Sequence, residues 1–133
     1  MRTFIFWFCC NAALVTSALA APDCPVPLGQ AQYSTEVVAA IKATPTCNAA
    51  TELAENCALG ATADTQIALV AERQCGLAFW TKLSGSEKKH YNQLQAKCAQ
   101  KYAQHEGTMY QSAAAFCRLA VARLYAELYT PAE

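Results

Sequence analysis

Apolar positions recur at three- and four-residue steps through most of this chain, and no segment sustains the alternation of a strand. The clearest case lies on either side of Gly107-Thr108. Before it, Tyr91, Leu94, Cys98 and Tyr102 share one face of a helix predicted over about 87–105. After it, Tyr110, Ala113, Cys117, Val121, Leu124 and Leu128 share one face of a helix over about 109–129, which Pro131 ends. Folding the chain back at Gly107 sets each cysteine about 13 Å up its own helix. Both then lie at one level on facing apolar stripes, where a disulfide can close.

The rest of the chain reads as shorter helices. Pro22, Pro25, Pro27 and Gly29 keep residues 21–33 non-helical. Ser34 is the expected cap of a short helix to about residue 42, with Val37, Val38 and Ile41 inward, and Thr44-Pro45 breaks it. Thr46 caps a second helix to about residue 59, where Gly60 supplies the stop. Thr62 and Asp64 open a third, about 64–83, with Ile67, Ala71, Cys75 and Ala78 on one face and Leu69 or Val70 beside them. Gly76 costs that helix about 1 kcal/mol relative to alanine, a cost that a close helix contact beside Cys75 would justify. Ser84-Gly85-Ser86 marks the turn before the central hairpin. Alanine is frequent, so the helices should cross closely. The expected fold is all-α, a four- to five-helix bundle of antiparallel helical hairpins.

With 133 residues there is room for one domain. Residues 1–20 read as a cleaved signal peptide: Arg2 supplies positive charge, 4–14 are apolar, and Ala18-Leu19-Ala20 is a small-x-small cleavage site. The apolar run is too short to span a bilayer, and Cys9 and Cys10 leave with it. Residues 21–133 form the expected domain, beginning at Ala21. Ala-Pro-Asp before Cys24 is no lipoprotein signal, so the product should be secreted or periplasmic, with no membrane insertion. Removing Arg2 leaves nine basic and ten acidic side chains, 9 − 10 = −1. That sum is no footprint for nucleic acid or an anionic membrane.

Six cysteines remain, and an even number in a short exported chain implies three disulfides. No two are closer than ten residues, which removes the Cys-x-x-Cys pair of a zinc site. No metal or cofactor is expected. The hairpin argument pairs Cys98 with Cys117. Cys47 and Cys75 are level if helices two and three run antiparallel, which leaves Cys24 for Cys57. This is one of fifteen connectivities.

Catalytic signals are weak. His90 and His105 lie fifteen residues apart on one predicted helix, about 22 Å, so they cannot share a metal. Glu52 and Glu55, three apart, fit a solvated helix face better than a glycosidase pair. There is no Gly-x-Ser-x-Gly elbow and no phosphate loop. The chain reads as a non-enzymatic binding protein. Glu87-Lys88-Lys89-His90 sets three basic residues against the helix dipole, either simply exposed or a contact for an acidic partner. Phe79 reads as core. Trp80 beside that basic turn is either core or an interface anchor. Glu106, Gly107, Thr108, Met109 and Tyr110 form a tight hairpin tip that could enter a groove, although capping alone explains Gly107 and Thr108.

Two segments carry a family resemblance. One is Cys47-Asn-Ala-Ala-Thr51-Glu-Leu-Ala-Glu55-Asn-Cys57 followed by Ala63-Asp64 and Ile67. The other is Cys98, eight residues, Gly107-Thr108, eight residues, Cys117. Over about 47–124 the chain resembles the LprI-type lysozyme inhibitors, small exported helical domains. It departs from them in having Gly-Thr for Gly-Gly-Ser and a Thr-to-Glu spacing of four, with Cys24 and Cys75 extra. Trp80 lies too far upstream for the family's tryptophan, and Arg123 only near the place of its arginine. The resemblance implies a protein partner, a lysozyme or related peptidoglycan hydrolase. The alternatives are a disulfide-braced carrier of a small apolar ligand and an envelope structural or stress protein.

Overall fold

The computed structural model describes residues 24–29 and 31–130. The expected leader with Cys9 and Cys10, the new N-terminus at Ala21, and Pro131 lie outside the described residues. Five α-helices follow in order: α1 (Tyr33–Lys42), α2 (Cys47–Asn56), α3 (Ala63–Phe79), α4 (Gly85–Tyr102) and α5 (Thr108–Tyr129), with a 3₁₀ turn at Trp80–Lys82. No strand occurs among the described residues, and the fold is the all-α bundle that the periodicity predicts. α3 is its centre, packed against α1, α2 and, along most of its length, α5; α4 leans on α5.

Disulfides join Cys24 to Cys57, Cys47 to Cys75 and Cys98 to Cys117, with Cα separations of 4.9, 4.4 and 5.6 Å. This is the pairing that the hairpin levels give. Such bonds form in an oxidising compartment. Among the described residues no helix is long and apolar enough to cross a membrane.

Local chemistry sets the helix starts, with some departures from expectation. Thr46 caps α2 by accepting the Ala49 N–H at 3.2 Å. Ser84-Gly85-Ser86 is a helix start rather than a free turn: Ser84 is the N-cap of α4, in a reciprocal capping box with Glu87. Ser34 caps nothing, because α1 already begins at Tyr33 and its N-cap Gln32 makes no side-chain cap bond. Tyr33 is buried and donates to the Cys57 carbonyl at 2.8 Å, so burial drew the helix start two residues earlier. α2 stops at Asn56, and Gly60, at φ +69°, belongs to the α2–α3 loop. α4 stops at Tyr102, short of His105, and Gly107 turns the chain at φ +111°.

The core contains Val37, Ile41, Ile67, Phe79 and Leu119, with Ala50, Ala54, Ala68, Ala71 and Ala122 between them, all fully buried. On α5 the buried face runs through Ser112, Leu119, Ala122, Tyr125 and Ala126. The predicted stripe is displaced from it: Leu124 and Leu128 are 52 % and 70 % exposed. α3 approaches α5 over alanines, so the small side chains are the packed ones and the leucines are left at the rim.

Gly76 has no such role. A Cβ built there meets nothing within 4 Å, so no close crossing needs the glycine. Gly76→Ala should therefore stabilise the protein by up to about 1 kcal/mol, read as a higher urea midpoint at unchanged slope. A loss of stability would show that the position has a constraint other than helix propensity.

Candidate functional site

The predicted contact residues fall at the two ends of the α4–α5 hairpin. At the first end, α3 runs into its 3₁₀ turn and brings Phe79 and Trp80 against Tyr91 of α4. Phe79 is fully buried, its ring 5.3 Å from Tyr91 and 5.5 Å from Tyr125, and Tyr91 and Tyr125 meet at 5.0 Å. Trp80 covers this cluster edge-on at 5.8 Å from Tyr91, yet stays 41 % exposed. The Lys88 ammonium stands 5.3 Å above the Trp80 ring, a cation–π contact. Lys89 and His90 are exposed beside it. Trp80 thus both packs and faces solvent.

A polar clamp ties the three long helices together next to this cluster. Gln95 donates to the Tyr91 hydroxyl at 2.6 Å and to the Arg118 carbonyl at 3.1 Å. Arg118 in turn donates to Gln95 at 3.2 Å and pairs with Glu72 at 3.1 Å. Burial, and then the Glu72 charge, push the Tyr91 hydroxyl up to about 12, against the opposing pull of Gln95 and Arg118. Nothing in the periodicity marks this clamp; its sequence signal is only a glutamine and an arginine at helix positions level across the hairpin.

Glu87 is the acid at this end that the fold consumes. It accepts the Ser84 N–H at 2.7 Å and the Tyr129 hydroxyl. The Ser84 side chain, then Tyr129, then the Ser84 backbone hold its carboxyl down at about 2, while a small desolvation effect opposes them. Its stabilising contribution is therefore complete above the ordinary carboxylate range near 4.5 and is lost as pH falls from there toward 2. Urea midpoints of wild type and Glu87→Gln should differ at neutral pH and converge between about pH 4.5 and 2. A gap that stays constant across that window would refute the assignment. The carboxyl is solvent-exposed, so added salt should narrow the gap.

The second end is the tip. Glu106, Gly107, Thr108 and Met109 are all exposed, Met109 by 61 %. His105 stacks on Tyr110 with centroids 4.5 Å apart and planes 18° apart, so His105 braces the tip instead of closing α4. Thr108 donates to the Gly60 carbonyl at 3.4 Å, joining the tip to the α2–α3 loop. That loop hangs on Asp64, which the sequence offers as a helix opener and as part of the family resemblance. Asp64 is fully buried, and its carboxylate accepts the N–H groups of Leu59, Gly60 and Ala61 at 2.8–3.2 Å and the Ser112 hydroxyl at 2.7 Å.

Elsewhere an open groove of about 830 Å³ runs between the start of α2 and the ends of α3 and α5, with Pro45, Cys47, Leu77, Ala78 and Ala126 on its apolar walls. Glu52 and Glu55 are exposed on α2. Among the described residues no group of three or more His, Cys, Asp or Glu side chains is placed to hold a metal ion. Comparison of the chain with protein-family models, with curated proteins and with solved structures gives no match.

Proposed function

We propose that this is an exported, non-enzymatic binding protein whose hairpin tip enters the cleft of a lysozyme-like peptidoglycan hydrolase. The observation that carries the reading is the construction of the tip. It is exposed and convex, it turns on Gly107 in the left-handed region, and it is fixed by Cys98–Cys117 behind and by Thr108 at the side. A protrusion held in advance loses little conformational freedom on binding, which favours affinity. The resemblance of the Cys98–Cys117 hairpin to the lysozyme inhibitors supplies the choice of partner. One cleft cannot take both predicted surfaces, because eighteen residues of α4 separate them, about 27 Å. The tip takes the hydrolase, and Trp80, Lys88 and Lys89 form a separate surface.

The test titrates the oxidised protein against chicken-, goose- and invertebrate-type lysozymes acting on peptidoglycan, with the reduced protein as control. Oxidised protein should inhibit at least one type. Met109→Ala or Thr108→Ala should weaken inhibition by roughly tenfold or more if the tip is the anchor. Absence of inhibition at high micromolar protein sinks the reading. The groove favours a second one, a carrier of a small apolar ligand, which organic extraction and mass spectrometry of the purified protein would detect.

A further inference from the structure

The end of the bundle that carries Trp80 presents cations and apolar side chains together. Among the described residues the two ion pairs are Arg118–Glu72 and Arg123–Glu127. Lys82, Lys88 and Lys89 therefore face no carboxylate partner. Lys82 reaches over to the Tyr129 carbonyl at 2.8 Å, and Lys88 lies on Trp80. Of the described acids at this end, Glu127 is paired with Arg123, whereas Glu87 accepts from the neutral donors Ser84 and Tyr129 and keeps its charge, so three lysines outnumber the one carboxylate left without a cation. The last turns of α3 and α5 also carry large apolar side chains that the core does not use. Leu77 is 78 % exposed near the end of α3, and Leu124 and Leu128 are exposed on the last turns of α5. The bond from Lys82 to Tyr129 shows that α3 and α5 finish side by side, so the end is blunt.

We propose that this end is a docking surface for an anionic phospholipid bilayer, with Trp80 and the leucines entering the headgroup boundary and Lys82, Lys88 and Lys89 meeting the phosphates. Tryptophan and tyrosine beside lysine is the composition that sits at membrane–water interfaces, with lysine stems lying along apolar surface and their ammonium groups in water. This end presents a half-exposed Trp80 with Lys88 lying on it, Lys89 exposed, and exposed leucines on the last turns of α3 and α5. A fluid bilayer accommodates that shape, whereas a protein partner must match it over roughly 800 Å². The association is peripheral, since no described helix can cross a membrane. The near-zero net charge does not oppose it. Glu106 lies at the other end, about 27 Å away along α4, several Debye lengths at physiological salt.

The test sediments the purified oxidised protein with vesicles of phosphatidylglycerol and phosphatidylcholine, and with phosphatidylcholine alone. Binding should require phosphatidylglycerol, weaken with salt, and shift the Trp80 emission to the blue. Lys88→Gln with Lys89→Gln should weaken partitioning by roughly tenfold to thirtyfold. Leu128→Gln, at an exposed site that should not disturb folding, should weaken it without changing the salt dependence. Absence of binding to anionic vesicles at low salt overturns the proposal. Equal binding to phosphatidylcholine, or binding indifferent to the lysine changes, also overturns it. Lysine-dependent retention on poly-glutamate resin with no vesicle binding would assign the end to an acidic protein and overturn the bilayer reading. Lysozyme inhibition should be unchanged in the lysine variants, so this proposal and the tip reading fail separately.

Discussion

Replacing Asp64 with alanine should lower stability by about 3 kcal/mol or more, several times the cost of an ordinary surface change. The carboxylate is fully buried and holds three consecutive backbone N–H groups of the α2–α3 loop together with the Ser112 hydroxyl of α5. Alanine removes every one of those acceptors at once. The Leu59 and Gly60 donors lie near solvent and can recover water, but Ser112 is buried and cannot easily do so. The charge also sits in the first turn of α3, where the helix dipole favours it.

Ser112→Ala should cost only about 1 kcal/mol, because Asp64 keeps its three backbone donors. Asp64→Asn should fall between the two, since an amide retains one acceptor but turns donors toward the loop. Urea unfolding of the three variants checks the order, and amide exchange at residues 59–61 should rise in Asp64→Ala. A loss under about 1 kcal/mol for Asp64→Ala would mean that the loop is held by something else. Tyr33 gives an independent readout. Its hydroxyl is raised first by burial and then by the Asp64 charge, so alkaline titration should show it ionising earlier once that charge is gone.

The helices and disulfides were legible in the sequence because both depend on local spacing. Cysteines at equal distance from a turn must lie level on antiparallel helices, and Thr46 can cap only the helix that follows it. The inward face of α5 was not legible. Alanine gives hydrophobic periodicity little contrast, so Leu124 and Leu128 set the phase of the stripe, although α3 packs on Ala122 and Ala126. Helix approach, a tertiary quantity, decided which side was buried. Asp64 was hidden for a related reason. An acid in a first turn has an adequate local explanation in the dipole, and only the fold shows that the loop and Ser112 converge on it. The two ends were legible as residue types and as opposite ends, because the helix predicted over about 87–105 already sets Trp80 and the tip apart.

Removing the Cys98–Cys117 bond by double alanine replacement should cost about 3 kcal/mol, the chain-entropy value for a loop of this size, with sequence separation 19. The larger consequence is local. Beyond Cys98, residues 99–107 are exposed except for Tyr102, which is half-buried. The disulfide is thus the last firm anchor of α4 before the tip. Without it, the turn keeps the His105–Tyr110 stack, the long Thr108–Gly60 hydrogen bond and local backbone bonds such as His105 N–H to the Tyr102 carbonyl at 3.0 Å. The end of α4 should then fray while α2 and α3, joined by Cys47–Cys75, stay folded with α1 packed on them. Amide exchange should therefore accelerate at 99–107 far more than in α3, at temperatures well below the unfolding midpoint. Uniform acceleration along the chain would show that the bond acts only on global stability. If the tip binds a hydrolase because it is held in shape, inhibition should fall in this variant while the protein is still folded. Inhibition that survives intact alongside a frayed tip would move the binding site elsewhere on the molecule.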